Sequence, residues 1–151
     1  MRDDAEPGPS TQASAPGANE TRRGSAEHAK VLTSDGIQPG LEHSIERVVD
    51  ERLLTMHVGG RGVFATPAMV GLMEWASHSA IKDHVPEGQT SVGYEIHVRH
   101  LAPAPPGATV VVTARLVEVS GNKLVFDVSC RLGDKLIGTG THKRAIVPAN
   151  F

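Results

Sequence analysis

The chain of 151 residues holds one cysteine, one tryptophan, one tyrosine and three phenylalanines. A single cysteine excludes an internal disulfide framework and leaves no ligand set for a Cys-rich structural zinc site. With aromatics at 3%, the core has to be built from Val, Leu, Ile, Ala and four Met. Charge of one sign is also lacking: 15 basic and 17 acidic residues leave a formal net charge of -2. A general nucleic-acid binder would show a basic surplus or stripe, so nucleic acid is not an expected partner. No apolar run approaches the roughly 20 residues that span a bilayer, so no membrane partner is expected either. Residues 1–7 contain no apolar stretch of the kind a secretory leader needs, and Arg22 and Arg23 are followed by Gly24, Ser25, Ala26 and Glu27. The expected location is the cytoplasm.

What is present divides near residue 37. From Met1 to Gly36 the composition is Pro, Gly, Ser, Ala, Thr and Glu, with Val31 and Leu32 the only neighbouring large aliphatics. Such a segment cannot bury enough apolar surface to offset its ordering entropy, so residues 1–36 are expected to form a disordered tail or one that docks on a partner. Residues 37–151 carry equal numbers of acids and bases and are long enough for one domain with its own core.

Within that domain one helix and several strands are legible. Thr66 suits an N-cap, Pro67 suits the first helical position, and Pro86 lies beyond the end. Between them Ala68, Met69, Val70, Leu72, Met73, Trp75, Ala76, Ala80 and Ile81 are spread almost all round the helical wheel, which predicts a helix wrapped by the rest of the fold. From Val92 to Leu101, Val92, Tyr94, Ile96, Val98 and His100 alternate with Gly93, Glu95, His97 and Arg99, the period of a half-buried strand. Thr109–Val119 is rich in Val and Thr. In the next strand Leu124, Phe126, Val128, Cys130 and Leu132 line one face, and a final strand runs over about Lys135–Val147. Gly121 and Asn122, and then Gly133 and Asp134, mark hairpin turns. His43–Leu54 and Met56–Val58 are weaker strand candidates. The predicted order is strand, helix, then an antiparallel meander of about four strands: an α+β architecture of the hot-dog type, a long helix wrapped by a curved sheet.

Three polar residues stand out in this pattern. Glu74 falls mid-helix between Met73 and Trp75. Either it points through a gap to water or a basic neighbour, or it is a nucleophile or general base whose pKa burial raises. His100 ends an apolar strand face, as a satisfied core residue or as an imidazole poised to titrate near neutrality. Thr66 is explained by capping alone, yet a helix N-terminus also offers N–H groups to an anion or developing oxyanion. Together they are the ingredients of a hydroxyl–imidazole–carboxylate acyl-transfer site. His97 and His100 fall on opposite strand faces, which weakens a metal reading, and Cys130 reads as core.

From Val63 to Ala76 (VFATPAMVGLMEWA) the sequence resembles the fluoroacetyl-CoA thioesterase group of hot-dog proteins. The likeness continues through Ser91-Val92-Gly93, through His100 and the APAPPG that follows it, and through Gly138–Arg144 (GTGTHKR), covering roughly residues 40–147. The resemblance implies hydrolysis of a short acyl-CoA by a homodimer with sites at the subunit interface, and it implies no metal and no cofactor beyond the coenzyme A of the substrate. It carries the catalytic set onto Thr66, Glu74 and His100, with Glu74 attacking the thioester or activating water. Gly93, Arg144 and Phe64 fall on its substrate-binding positions, and Arg144 read alone could equally make a surface ion pair. Two other classes fit the same fold: a non-catalytic acyl-CoA-binding module, and a lyase or hydratase. The second would carry an Asp-x-x-x-x-His arrangement, which is not found in the expected region. One departure bears on specificity. Fluoroacetyl-specific members carry a phenylalanine-bearing lid before the threonine; here that stretch is Val58–Phe64 (VGGRGVF), with Gly60 at the expected lid position.

Overall fold

The computed structural model describes residues 36–150. The tail expected over 1–36 lies outside the described residues, Gly36 apart. In chain order the elements are β1 (Glu42–Val48), a 3₁₀ turn (Glu51–Leu53), β2 (Leu54–Thr55), β3 (Val63–Phe64), α1 (Thr66–Ile81), a second 3₁₀ turn (Lys82–His84), β4 (Gln89–His100), β5 (Thr109–Ser120), β6 (Lys123–Leu132) and β7 (Lys135–Pro148).

Five strands form one antiparallel sheet in the order β1-β5-β6-β7-β4, and α1 packs on its inner face. Alternation builds that face: Val110, Val112, Ala114 and Leu116 of β5, and Leu124, Phe126, Val128 and Cys130 of β6, are all buried. From α1 come Met69, Met73, Ala76, Ser77 and Ile81 at helical spacing. Burial pushes the Cys130 thiol up to about 12, so it stays an unreactive core group.

Three expectations need correction. Only β5, β6 and β7 form a meander, because β4 pairs with β7 rather than with β5. The link from β4 to β5 carries Pro103, Pro105 and Pro106 and cannot make a tight hairpin. It crosses under β3 instead, where Ala104 is buried and its carbonyl accepts from the Phe64 N–H at 3.0 Å. This crossing leaves β4 at one edge of the sheet and β1 at the other. Met56–Val58 is not a strand: it opens an exposed loop between β2 and β3. The expected strand His43–Leu54 stops at Val48, after which the Asp50 carboxylate accepts from the Arg52 N–H at 3.0 Å and starts the 3₁₀ turn.

The alternation in β4 also breaks. A bulge between Gly93 and Glu95 inserts Tyr94 as an extra residue opposite β7. Beyond it Ile96, Val98 and His100 face inward as predicted, opposite His142, Gly140 and Gly138. Before it the phase is reversed, so Ser91 and Gly93 share a face with Ile146 and Arg144, while Tyr94 is 50% exposed.

Candidate active site

The start of α1 and the end of β4 meet. Thr66 Oγ1 and His100 Nδ1 share a hydrogen bond of 2.7 Å. Ala65, not Thr66, is the capping residue, and no side chain caps the helix, so the threonine hydroxyl is committed to the imidazole rather than to the backbone. Phe64 was expected to touch substrate; it is only 1% exposed and sets its ring edge-on to His100, centroids 6.0 Å apart. It therefore supports the imidazole from the core side. Burial lowers the His100 pKa, so the ring is neutral at pH 7. Its Nε2 is buried and has no hydrogen-bond partner.

Glu74 is not buried. It projects from the exposed side of α1 beside Trp75, which is 50% exposed. The helix is apolar on almost every side, but its own sheet covers one side only. Of the two readings of Glu74, the structure supports the one in which it opens to water and a basic neighbour. Burial lowers the pKa of both Arg144 and His142, and Glu74 is near enough for its charge to offset part of that lowering.

Arg144 is no surface ion pair, being 7% exposed. Its Nε donates to Ser91 Oγ at 3.0 Å, its Nη2 to the Ser91 carbonyl at 2.9 Å, and its Nη1 to His142 Nε2 at 3.1 Å. Burial lowers its pKa, and Glu74 counters that effect. Gly93 lies opposite Arg144 in the ladder. A Cβ there would sit 2.8 Å from His142 Cε1 and 3.2 Å from Arg144 Nη1, so the glycine makes room for those two side chains as well as for any ligand.

The site residues therefore form two groups within one chain. Thr66, His100 and Phe64 lie at one end, and Glu74, Gly93 and Arg144 at the other. Eight residues of α1 place Glu74 about 12 Å along the axis from Thr66, and the seven residues from Gly93 to His100 span roughly 20 Å of strand. Ser91, His142 and His78 belong to the second group, and the sequence reading did not single them out as site residues. The available signal was the i, i+2 pair His142 and Arg144, two polar residues on what had to be a buried face of β7. Among the described residues, no group of three or more His, Cys, Asp and Glu side chains could hold a metal ion.

Three histidines, His142 buried and His78 and His100 half-buried, make stability depend on pH. Burial lowers the pKa of His78, His100 and His142; Arg144 pushes His78 and His142 further down, while Glu74 and the Glu95 carbonyl partly restore His142. Folded-state values below the unfolded one mean that the native form binds protons less readily. Stability is therefore complete above about pH 6.5 and is lost as pH falls through the lowered values. Thermal melts should give a level Tm from pH 8 to 7 and a falling one towards pH 5, with a shallower fall in His142→Gln. A level Tm down to pH 5 would contradict the lowered pKa values of these rings.

A helix packed on a five-stranded antiparallel sheet, with polar groups gathered at the helix start and along its exposed side, defines a hot-dog protein of the thioesterase type. Residues 48–150 match the model of the fluoroacetyl-CoA-specific thioesterase family, and the chain belongs to that family. It is 49% identical over 85 residues to the fluoroacetyl-CoA thioesterase of Streptantibioticus cattleyicolor, a match covering 56% of this chain and 61% of that protein. Among solved structures it is similar to a mutant of the fluoroacetyl-CoA-specific thioesterase in complex with fluoroacetate and CoA. That match has TM-score 0.69 and 38% identity, covering 75% of this chain and 97% of the other. It is also similar to a Thermus thermophilus protein described as a thioesterase superfamily member, with TM-score 0.68 and 34% identity, covering 74% of this chain and 85% of that one. Among the described residues no helix is long and apolar enough to cross a membrane.

Proposed function

We propose that the protein hydrolyses short acyl-CoA thioesters to the free acid and CoA, in the cytoplasm, as a homodimer with its sites at the subunit interface. The observation that carries this reading is the Thr66–His100 pair at 2.7 Å, which holds a neutral imidazole at the start of a helix. Glu74 takes a proton from water as the water oxygen adds to the thioester carbon, or adds to that carbon itself, in which case water then cleaves the resulting anhydride and frees the acid. The carbonyl electrons pass to oxygen, near the N–H groups of the first turn of α1 and the Arg144 guanidinium. They return as the C–S bond breaks, and the CoA thiolate leaves and is protonated. Neutral His100, steadied by Thr66 and Phe64, orients water or carries that proton. Gly93 and Arg144 line the acyl end. The reaction needs no metal and no prosthetic group, because coenzyme A arrives with the substrate.

The separation of the two groups supports the dimer. Thr66 and His100 of one protomer need a carboxylate that their own helix sets about 12 Å away. A two-fold partner with the same surface brings one from outside. The β4 edge is open, and Trp75, Tyr94 and Leu101, each 47–50% exposed, lie on or beside the elements that would be covered.

The test is thiol release from acetyl-, fluoroacetyl- and propionyl-CoA, with sedimentation of the same sample. Turnover by a dimer or higher even oligomer is expected. CoA binding without thiol release would instead favour a non-catalytic binding module, and a monomeric active species would overturn the interface site.

A further inference from the structure

Near Glu74 runs a row of polar groups that the proposed hydrolysis leaves without a role: buried Ser91 on β4, buried His142 on β7 and half-buried His78 on α1. Their partners fix the direction of the bonds that hold Arg144. The Glu95 carbonyl can only accept, so His142 Nδ1, 3.0 Å away, carries the proton and donates to it. His142 Nε2 is then a bare acceptor and takes the Nη1–H of Arg144 at 3.1 Å. Ser91 Oγ accepts the Nε–H of Arg144 at 3.0 Å and shares a second hydrogen bond, also of 3.0 Å, with His78 Nδ1. The Ser91 carbonyl accepts Nη2–H at 2.9 Å, which puts two parallel bonds from one edge of the guanidinium onto one residue. The row ends where His78 stacks on Trp75, ring centroids 5.9 Å apart.

Arginine has five N–H bonds. Three are held by Ser91 and His142, and two are left for Glu74 and the acyl thioester. A buried guanidinium with no lock would swing onto the nearest carboxylate and neutralise it. Here neutral acceptors hold it by three bonds, so its charge acts on Glu74 without its having to collapse onto the carboxylate. A lysine has no planar fork to match the two Ser91 oxygens.

We propose that Ser91 is a positioning residue: with His142, and with His78 orienting its hydroxyl, it fixes the Arg144 guanidinium beside Glu74 at the acyl end of the site. The thioesterase reading supplies what Arg144 does in turnover, whereas the lock itself stands on the hydrogen bonds.

The experiment is a double-mutant cycle on the full chain with acetyl-CoA, using Ser91→Ala, Arg144→Lys and the double variant. Ser91→Ala should lower kcat by about tenfold with KM changed less than about threefold. In the Arg144→Lys background the same change should cost less than about threefold, because its effect runs through the arginine. Losses that multiply fully in the double variant, or an unaltered kcat in folded Ser91→Ala, would overturn the proposal. If Ser91→Ala fails to fold, His78→Ala on the half-exposed side of the helix goes through the same cycle with the same two readings. A second readout does not depend on turnover: the Arg144 Nε–H proton, followed by nitrogen-15 NMR. It should exchange slowly in the wild type and quickly in Ser91→Ala or His78→Ala; fast exchange in the wild type would overturn the lock. A wild type that releases no thiol from any acyl-CoA would refute the thioesterase reading, and the proton exchange would then decide the lock by itself.

Discussion

Glu74→Gln and His100→Ala should each lower turnover of acetyl-CoA by at least ~100-fold, the scale of positioned acid–base groups. The two should differ in stability. Glu74 projects from the exposed side of α1, so its amide isostere should leave Tm unchanged. His100→Ala removes a ring packed on Phe64 and bonded to Thr66, and it should lower Tm by several degrees. Mixing the two inactive variants gives the sharper result. If each site takes Thr66 and His100 from one protomer and Glu74 from the other, a mixed dimer holds one intact site and one doubly defective site. Random re-pairing of equal amounts then restores about a quarter of wild-type activity. No return of activity after confirmed subunit exchange would place all three residues in one chain's site. Near-normal hydrolysis by folded Glu74→Gln would remove the mechanism altogether.

The fold was largely legible because its periodicities are local. The helix Thr66–Ile81, the inward set of β6 and the two glycine hairpins follow from spacing alone. Pairing between distant strands does not, and the partner of β4 was misread because nothing in its sequence encodes β7 as a neighbour. The bulge at Tyr94 was invisible for a related reason. Val92 and Tyr94 continue the apolar alternation of Ile96 and Val98, and only the ladder with β7 shows that the phase slips. At the site, Thr66 and His100 were legible as chemistry but not as a contact, since 34 residues separate them. For Glu74 the pattern leaves two readings open, and within one chain the exposed one holds. An all-round apolar helix argues for burial, but periodicity cannot say which chain buries it, and a single protomer leaves Glu74 and Trp75 in the open. Ser91 escapes because a serine in a strand carries no distinctive spacing, and the i, i+2 pair His142 and Arg144 tells only once Arg144 is seen to be buried between Ser91 and His142.

Selectivity between fluoroacetyl-CoA and acetyl-CoA should be weak, with kcat/KM values within about tenfold, close to what a small difference in an apolar pocket supplies. The reason lies in the loop between β2 and β3. Residues 56–61 are all exposed, and Gly59, Gly60 and Gly62 adopt φ of +90°, +63° and +85°, the left-handed region that glycine enters without strain. None of the three brings an apolar side chain over the acyl end. Phe64, the nearest aromatic, is committed to the core beneath His100, and Tyr94 faces Lys123, whose Nζ lies 5.5 Å from the ring centroid. Neither replaces a lid. With the acyl end uncovered, water reaches the thioester whichever acyl group is bound, and a longer chain has room to enter, so propionyl-CoA should also turn over. The same geometry offers a gain-of-function check at Gly60, where a Cβ would meet nothing within 4 Å. Gly60→Phe therefore has space, and its strain is the roughly 1–2 kcal/mol of a left-handed non-glycine residue. The variant should fold with a modestly lower Tm, lose activity on propionyl-CoA first, and favour the fluorinated substrate more than wild type does. A wild-type preference for fluoroacetyl-CoA above about 10⁴-fold, far beyond the ~10²-fold that a small apolar difference gives, would show that this loop closes over the acyl group despite its glycines.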